Sequence, residues 1–303
     1  MHISNVVRQS YHDKKVLVTG GAGFIGSHVV DALVACNAHV TVLDDLSTGN
    51  LQNLEPIRSA ITFVQASILD TAVLQELCDQ HEIIFHLAAR TSVPQCEQYP
   101  LECHAINVTG TAHVLYAAQQ AHCNRLVFSS SAAVYGRTQE VCSETLLSQP
   151  CSQYGLSKLM GEQLCEYYRN NTQLQTVCLR YFNVYGDRQN GAAPTAGVIA
   201  IMKHALEHNV PLTLYGDGLQ TRDFVSVHDV VLANLLAGMH PQPESVINVA
   251  SGKSVSLIEM FKQLKQTYPY YTHPVQFKPA RLGDIKHSQA DCSRFTTLKS
   301  LEF

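Results

Sequence analysis

Residues 14–28, KKVLVTGGAGFIGSH, constrain the fold of this chain more than any other stretch. The apolar, β-branched run at 14–20 predicts a strand that is buried on both faces and ends at glycine. The residues that follow give a helical pattern over 24–36. A buried strand that turns through glycines directly into a helix is typical of a parallel α/β sheet.

The same alternation of strand and helix continues as far as residue 182. Strands are predicted at 39–45, 61–67, 82–89, 124–130 and 176–182, and helices at 71–80, 101–121 and 153–169. Apolar strands separated by helices predict an α/β fold with a doubly wound parallel sheet, the Rossmann arrangement. In such a fold the binding crevice lies beyond the carboxyl ends of the strands.

The pattern loosens after residue 182, so we predict a first domain over 13–182 and a smaller, interleaved C-terminal domain over 183–303. A loop is predicted at 186–197, a helix at 197–208 and a short strand at 212–215. Residues 224–251 are expected to pack on the first domain, with the strand at 246–251 returning to its sheet.

Composition excludes several classes of partner. A net charge of -4 gives no basic face for nucleic acid or an anionic membrane. No apolar run approaches the roughly 20 residues of a membrane span, and the N-terminal residues have no signal-peptide core, so we expect a cytoplasmic protein. Ten cysteines and fifteen histidines show no metal-ligand spacing, which predicts buried free thiols and no metal site.

The glycine pattern between the first strand and helix predicts a phosphate-binding loop. Gly20, Gly23 and Gly26 allow the backbone to approach a pyrophosphate, and the helix N-terminus offers free N–H groups. Asp44 ends the second strand, 18 residues beyond Gly26, where a carboxylate accepts hydrogen bonds from the ribose hydroxyls and repels a 2′-phosphate. No arginine follows in 44–50, so the predicted cofactor is NAD, bound by the 13–182 domain.

A second pattern, Tyr154-x-x-x-Lys158, predicts a catalytic pair. Residues four apart on a helix share a face, so the Lys158 ammonium is expected beside the Tyr154 phenol. Its charge and that of the nicotinamide ring of bound NAD should together lower the pKa of the phenol. Ser131, just past the strand at 124–130, is expected to share the proton with Tyr154. Ser129 and Ser130 are expected to satisfy backbone groups or to line the cofactor pocket.

The chain resembles the extended short-chain dehydrogenase/reductase family, in its nucleotide-sugar epimerase branch. The resemblance covers residues 15–291. It rests on TGGAGFIG, HLAA, NVTGT, SSSAAVYG, YGLSK, LRYFNVYG and RDFVSVHDV, which occur in the family's order.

The resemblance implies further roles for individual residues. It places Ser131, Tyr154 and Lys158 in catalysis. The cofactor residues that it implies, with those named above, are Gly20, Gly23, Phe24, Ile25, Gly26, Asp44, Ser47, Gly49, Ser67, Ile68, Leu87, Ala88, Ala89, Asn107, Tyr154, Lys158 and Tyr181. The resemblance also implies a set of substrate residues. Ser131 is the one in the first domain, and those in the smaller domain are Asn183, Val198, Tyr215, Arg222, Arg281 and Ser288. Ser67 stands where the family usually has an aspartate. A homodimer is usual for the family, so we expect one here.

Two alanines indicate which reaction to expect. Relatives that dehydrate or decarboxylate carry acidic residues directly after the catalytic serine, whereas this chain has Ala132 and Ala133. We therefore expect a 4-epimerase of UDP-sugars, in which Tyr154 takes the proton of the C4 hydroxyl while NAD accepts and returns the hydride. The alternatives are a 4-ketosugar reductase or dehydrogenase, a UDP-glucuronate 4-epimerase, and a non-enzymatic NAD-binding protein.

Ser288 suggests the sugar. It resembles the position that closes the sugar pocket in this branch, where a tyrosine is typical of enzymes restricted to UDP-glucose and UDP-galactose. A small residue leaves room for an N-acetyl group, and HSQAD, 287–291, is similar to UDP-N-acetylglucosamine 4-epimerases of surface-polysaccharide pathways. We therefore expect UDP-N-acetylglucosamine and UDP-N-acetylgalactosamine as the favoured substrates, with UDP-glucose, UDP-galactose and the uronic sugars as further candidates.

Overall fold

Twelve short strands are described in the computed structural model, which covers residues 3–191, 196–241, 243–280 and 285–302. They are β1 (Lys15–Thr19), β2 (His39–Leu43), β3 (Ile61–Val64), β4 (Ile83–His86), β5 (Arg125–Ser131), β6 (Gln175–Tyr181), β7 (Asn183–Tyr185), β8 (Thr213–Tyr215), β9 (Thr221–Ser226), β10 (Val246–Val249), β11 (Ser254–Ser256) and β12 (Gln276–Lys278). Seven of them form one sheet in the order β10-β6-β5-β4-β1-β2-β3, and every pairing in it is parallel.

Eleven α-helices lie within the same ranges. They are α1 (Asn5–Tyr11), α2 (Phe24–Ala35), α3 (Thr71–Cys78), α4 (Val93–Gln98), α5 (Pro100–His104), α6 (Thr111–Gln120), α7 (Gln153–Asn171), α8 (Val198–Glu207), α9 (Val227–Met239), α10 (Leu257–Lys265) and α11 (Ser293–Lys299). Over the described part of the chain, no helix combines the length and the apolar character needed to cross a membrane.

Helices cover both faces of the large sheet because its strands are apolar on both faces. All four residues of β4 are buried, and so are the last four of β1. One face packs against α1, α2, α9 and α11, and the other against α3, α6 and α7. The structure confirms the predicted doubly wound parallel sheet.

The helix predicted at 101–121 is not one regular helix. It consists of α5, a π-helical segment over Ala105–Gly110, and α6. A continuous helical pattern in the sequence does not distinguish these states, because the π segment changes only where each N–H finds its acceptor. It turns Asn107 inward, where the side chain is 2% exposed.

The chain leaves the large sheet after β6 and comes back to it. Strands β7, β9 and β11 form a three-stranded sheet, and β8 pairs with β12. A separate small core between α8 and α10 contains Met202, Leu206 and Phe261. Helix α9 then packs on α2, and β10 pairs with β6. The division at residue 182 into two domains stays a prediction.

The expectation that all cysteines are free is wrong for one pair. Cys96 on α4 and Cys103 on α5 form a disulfide, with their Cα atoms 5.2 Å apart. The two short helices turn back on each other through Tyr99, which brings together thiols that are seven residues apart. The sequence had no C-x-x-C pattern to signal this contact.

The residues of α1, which precede β1, belong to the core. Tyr11 at the end of α1 is fully buried, and its hydroxyl donates to the Leu235 carbonyl oxygen of α9 at 2.6 Å. This bond ties the start of the chain to a helix more than 200 residues later.

We expect Tyr11→Phe to lower the free energy of unfolding by about 1 kcal/mol, because it removes a buried hydrogen bond and leaves the ring in place. Urea denaturation followed by circular dichroism measures this change. Tyr270→Phe is the matched control, since Tyr270 is 54% exposed, and it should leave stability unchanged. Equal stability of the Tyr11→Phe variant and the wild type would contradict the assigned role of α1.

Candidate active site

The glycine-rich turn after β1 is packed too tightly for side chains. Gly20 has φ of +72°, and a Cβ there would lie 2.6 Å from the Ala88 nitrogen. A Cβ at Gly26 would overlap the Gly20 carbonyl oxygen. The turn therefore brings the start of α2 against the residues that follow β4, and only glycine fits at these two positions.

The N-terminus of α2 can hold an anionic group. The first hydrogen bond into the helix runs from the Ser27 N–H to the Gly23 carbonyl at 3.1 Å. The N–H groups of Phe24 to Gly26 therefore precede the helical ladder, and they add to the positive end of the helix dipole. This is the arrangement that a pyrophosphate requires.

Asp44 lies directly after β2 at the next strand end and is 7% exposed. Its Oδ2 accepts from the Ala22 N–H and its Oδ1 from the Leu46 N–H, each at 2.9 Å. Burial raises the pKa of this carboxyl, and the two backbone bonds oppose the shift. A Cβ at Gly49 would lie 2.6 Å from Asp44 Oδ1, so Gly49 leaves space for the carboxylate.

A cavity of about 410 Å³ runs along the carboxyl edge of the sheet between these elements. Fifteen of the predicted site residues line it: Gly20, Gly23, Phe24, Ile25, Gly26, Asp44, Ser47, Ile68, Leu87, Ala88, Ala89, Ser131, Tyr154, Lys158 and Tyr181. Gly49, Ser67 and Asn107 are not in its lining. This cavity fits a dinucleotide with unmodified ribose hydroxyls, because it combines the glycine-rich turn, the free N–H groups of α2 and the buried carboxylate of Asp44.

Asn107 acts on the cavity wall rather than from within it. Its Oδ1 accepts from the Arg90 N–H at 2.7 Å, and its Nδ2 donates to the Arg90 carbonyl oxygen at 2.9 Å. Nδ2 also lies 2.9 Å from the Ser157 hydroxyl on α7. Asn107 thereby joins the loop after β4, whose Arg90 and Thr91 line the cavity, to the helix that carries Tyr154.

The three serines at the end of β5 have three different side-chain partners. Ser129 Oγ lies 3.0 Å from the Tyr181 hydroxyl, and Ser130 Oγ donates to Glu162 Oε1 at 2.5 Å. Ser131 lowers the pKa of the nearby Tyr154 phenol, and its Oγ accepts from the Ala133 N–H at 3.2 Å. Ser129 and Ser130 both line the cavity. Their hydroxyls bind side chains, not the backbone groups named as one expectation.

Tyr154 and Lys158 share one face of α7, which begins at the Ser152 cap. Lys158 is 3% exposed, and its Nζ donates to the Ser129 carbonyl oxygen at 2.7 Å. Nζ lies 6.0 Å from the centre of the Tyr154 ring. Burial lowers the pKa of Lys158 to about 8, so the ammonium loses its proton in the mildly alkaline range.

The expected lowering of the Tyr154 pKa is not found among the protein's own interactions. Burial raises the pKa of this phenol, and the hydrogen bond from Ser131 only partly opposes the shift. The physical reason is that a phenolate loses more hydration in the cavity wall than these contacts return. Lys158 is directed at Ser129 and makes no hydrogen bond of its own to the phenol in the described structure.

Apart from Ser131, the candidate substrate residues within the described part of the chain lie outside the cavity lining. Asn183 begins β7, Arg222 lies in β9, and Tyr215 ends β8. Val198 begins α8, and Ser288 is half-buried before α11. Arg281 lies outside the described residues. Strands β7 and β9 are paired, which places Asn183 and Arg222 on neighbouring strands.

Sequence reasoning missed a buried carboxylate that organises this second region. Asp223 is fully buried, and it accepts from the Ser251 N–H and hydroxyl at 2.8 and 2.7 Å, the Gly252 N–H at 3.0 Å and the Ala290 N–H at 3.2 Å. It fixes the segment that contains Ser288, whose carbonyl accepts from Ser254 Oγ at 3.0 Å. The sequence signal that could have identified Asp223 is its position directly after Arg222 in RDFV, 222–225.

Several cavity residues were also missed because they are spaced irregularly in the chain. They lie after β2, in the π-helical segment, and in and around β7, and they include Asp45, Thr48, Ile106, Phe182, Val184 and Gln189. Among the described residues, no three His, Cys, Asp or Glu side chains are grouped to hold a metal ion.

Known proteins share both this sequence and this fold. Residues 16–250 match the model of the NAD dependent epimerase/dehydratase family. The chain is 38% identical over 287 residues to the UDP-glucose 4-epimerase of Mycolicibacterium smegmatis, covering 92% of this chain and 90% of that protein.

Two solved structures are similar over nearly their whole length. One is UDP-N-acetylglucosamine 4-epimerase from Methanobrevibacter ruminantium in complex with UDP-N-acetylmuramic acid, with 36% identity, a TM-score of 0.91 and coverage of 95% of this chain and 92% of that one. The other is UDP-glucose 4-epimerase from Thermus thermophilus in complex with NAD, with 33% identity, a TM-score of 0.86 and coverage of 95% and 92%. By sequence and by fold, the chain belongs to the NAD-dependent epimerase/dehydratase family.

Proposed function

We propose that this protein, an NAD-using UDP-sugar 4-epimerase, interconverts UDP-N-acetylglucosamine and UDP-N-acetylgalactosamine, with UDP-glucose and UDP-galactose as secondary substrates. The observation that carries the proposal is that Ser131, Tyr154 and Lys158 line the same cavity as the glycine-rich turn and Asp44. A proton-transfer pair and a dinucleotide cradle in one cavity suit hydride chemistry at a sugar carbon.

The chain's own residues supply proton transfer and positioning. Tyr154 Oη exchanges the proton of the sugar's C4 hydroxyl, and Ser131 Oγ shares that proton through its bond to Tyr154. Lys158 adds positive charge beside the phenol and is itself fixed by the Ser129 carbonyl. NAD, when bound, supplies the hydride acceptor and a pyridinium charge that favours the phenolate.

The residues after Ser131 support epimerisation over elimination. Ala132 and Ala133 form the turn that follows β5, and neither carries a group that could protonate a leaving hydroxyl. The proposed chemistry of Tyr154 and Ser131 is therefore confined to the sugar's C4 hydroxyl. The proposal assigns them removal and return of a single proton, without net redox change.

The proposed preference for N-acetylated sugars rests on the small side chain of Ser288. Its carbonyl is fixed by Ser254 and its neighbour Ala290 by Asp223, so the segment has a defined place beside the second sheet. A tyrosine at this position would add a large aromatic ring to the same fixed backbone. We infer that the sugar's C2 substituent occupies the space that serine leaves.

We also propose a homodimer formed by α5, α6 and α7. Helices α5 and α6 both pack on α7, and all three carry exposed apolar side chains on their outer surface. Leu101 is 86% exposed, Tyr116 58% and Tyr167 62%. A second copy would cover this apolar surface. A cytoplasmic location and a role in polysaccharide biosynthesis stay predictions from the sequence.

Replacing Tyr154 with Phe should lower kcat for UDP-sugar epimerisation by about 10²- to 10⁴-fold, because the proton-transfer group is lost and the ring remains. Turnover is measured by product chromatography, and bound NAD by its release on denaturation. Tyr167→Phe, on the exposed face of the same helix, is the control and should keep full activity. Unchanged turnover of Tyr154→Phe would refute the proposed mechanism.

Purified protein incubated with UDP-N-acetylglucosamine, UDP-glucose and UDP-glucuronate should convert the first most efficiently. Ser288→Tyr should reduce kcat/KM for UDP-N-acetylglucosamine by about tenfold or more relative to UDP-glucose. Ser59→Tyr, an exposed serine just before β3 at the opposite edge of the sheet, should change neither value. Conversion of UDP-glucose alone by the wild type would overturn the Ser288 argument, and preferred conversion of UDP-glucuronate would favour that alternative substrate.

Leu101→Glu should convert a dimer into a monomer of 33.4 kDa, because it places a charge at the centre of the proposed interface. Light scattering after size exclusion measures the mass. Leu219→Glu, a change at a leucine that is 58% exposed and far from these helices in the chain, should leave the dimer intact. A wild-type protein that is monomeric at micromolar concentration would contradict the dimer proposal.

A further inference from the structure

A buried ion pair lies directly behind the strand end that carries the three serines. Glu162 on α7 and Arg180 on β6 are each 6% exposed at the side chain. Arg180 Nε donates to Glu162 Oε1 at 2.8 Å, and Nη2 donates to Oε2 at 2.7 Å. Neither residue is among those that line the cavity, so the proposed reaction does not use them directly.

The carboxylate of Glu162 is shared between this arginine and the catalytic strand. Its Oε1 also accepts from Ser130 Oγ at 2.5 Å, and Ser130 lines the cavity between Ser129 and Ser131. Ser130 and Arg180 are register partners on β5 and β6. Glu162 therefore bonds side chains from two adjacent strands at the level of the active site.

Glu162 also lies one helical turn beyond Lys158, on the same face of α7. The Lys158 ammonium is buried and donates to the carbonyl of Ser129, the residue before Glu162's partner Ser130. A buried ammonium tends to lose its proton unless opposite charge is close. Glu162, whose carboxylate is paired with the Arg180 guanidinium, provides negative charge on this face of α7.

The other titratable groups facing Lys158 come from three elements. Cys165 lies on α7 and Cys178 on β6; the hydrogen bond with Cys165 and burial raise the pKa of Cys178, so it stays a neutral thiol. Tyr154 lies on α7, where burial raises the pKa of its phenol. His86 lies on β4, and burial lowers its pKa to about 3, so its ring is neutral. Glu162 is therefore the carboxylate among the groups that face Lys158.

We propose that Glu162 is a positioning residue for the epimerase reaction: with Arg180 it fixes the end of β5 and keeps Lys158 in its charged form, bound to the Ser129 carbonyl. Loss of the carboxylate would leave the Arg180 guanidinium buried without its ion-pair partner, and would remove a negative charge that favours the Lys158 ammonium. This inference rests on the proposed function, which gives the charge on Lys158 its purpose. The charge itself is measurable without any substrate.

The test is the titration of Lys158 by competitive labelling with acetic anhydride, followed by mass spectrometry of the α7 peptide across a pH series. Wild-type Lys158 should titrate near pH 8. In Glu162→Gln its midpoint should fall by about one pH unit, since the counter-charge is removed. Glu166→Gln, the same change one turn later at an exposed position, is the control and should titrate with the wild type.

A second readout links the charge to catalysis. If Lys158 must be protonated, activity is lost as pH rises through its pKa, so the alkaline limb of kcat/KM should move to lower pH in Glu162→Gln by the same amount. A purely structural role would lower activity at every pH and leave the limb in place. A labelling shift in a protein without epimerase activity would refute the proposed function and retain the assignment of Glu162.

A double variant covers the case in which Glu162→Gln does not fold. Glu162→Gln with Arg180→Gln removes both buried charges together, which proteins tolerate better than loss of one. Its Lys158 should still titrate below the wild type, by a smaller margin. A wild-type midpoint for Lys158 in whichever of these variants folds would overturn the proposal.

Discussion

The parallel pairing of all seven strands is the constraint on which this structure depends. Parallel strands must be joined by crossovers that run back over the sheet, so all their carboxyl ends lie at one edge. Gly20 after β1, Asp44 after β2, Ala88 after β4 and Ser131 at the end of β5 are therefore neighbours in space. The glycine-rich turn and the proposed catalytic residues share one cavity because of this geometry.

Burial of charge shapes the chemistry at that edge. Lys158, Glu162, Arg180 and Asp44 are all less than 9% exposed, and each is bound to named partners. An isolated charge in such surroundings would be neutralised, whereas paired and hydrogen-bonded charges persist. The Tyr154 phenol, the proposed proton-transfer group, lacks such compensation within the protein, which explains why its pKa is raised by burial. The protein presents a neutral tyrosine that additional positive charge can activate.

Much of the fold and part of the site were predictable from local patterns. The strands at 15–19 and 125–131 and the helix at 153–171 lie within a few residues of their predicted bounds, because apolar runs and glycines signal them directly. The π segment around Asn107, the Cys96–Cys103 pair and the packing of α1 were not predictable. Each depends on a contact whose partner the local sequence does not specify.

The sequence by itself determined the sheet, the glycine cradle, the acidic residue after β2 and the Tyr154–Lys158 spacing, because these follow from short-range periodicity and turn chemistry. Only the tertiary structure decided what each of the three serines binds, that Lys158 is directed at Ser129, and that Glu162 and Arg180 pair behind them. These contacts join β5, β6 and α7. Hydrogen-bond partners across such elements depend on distances that no local pattern encodes.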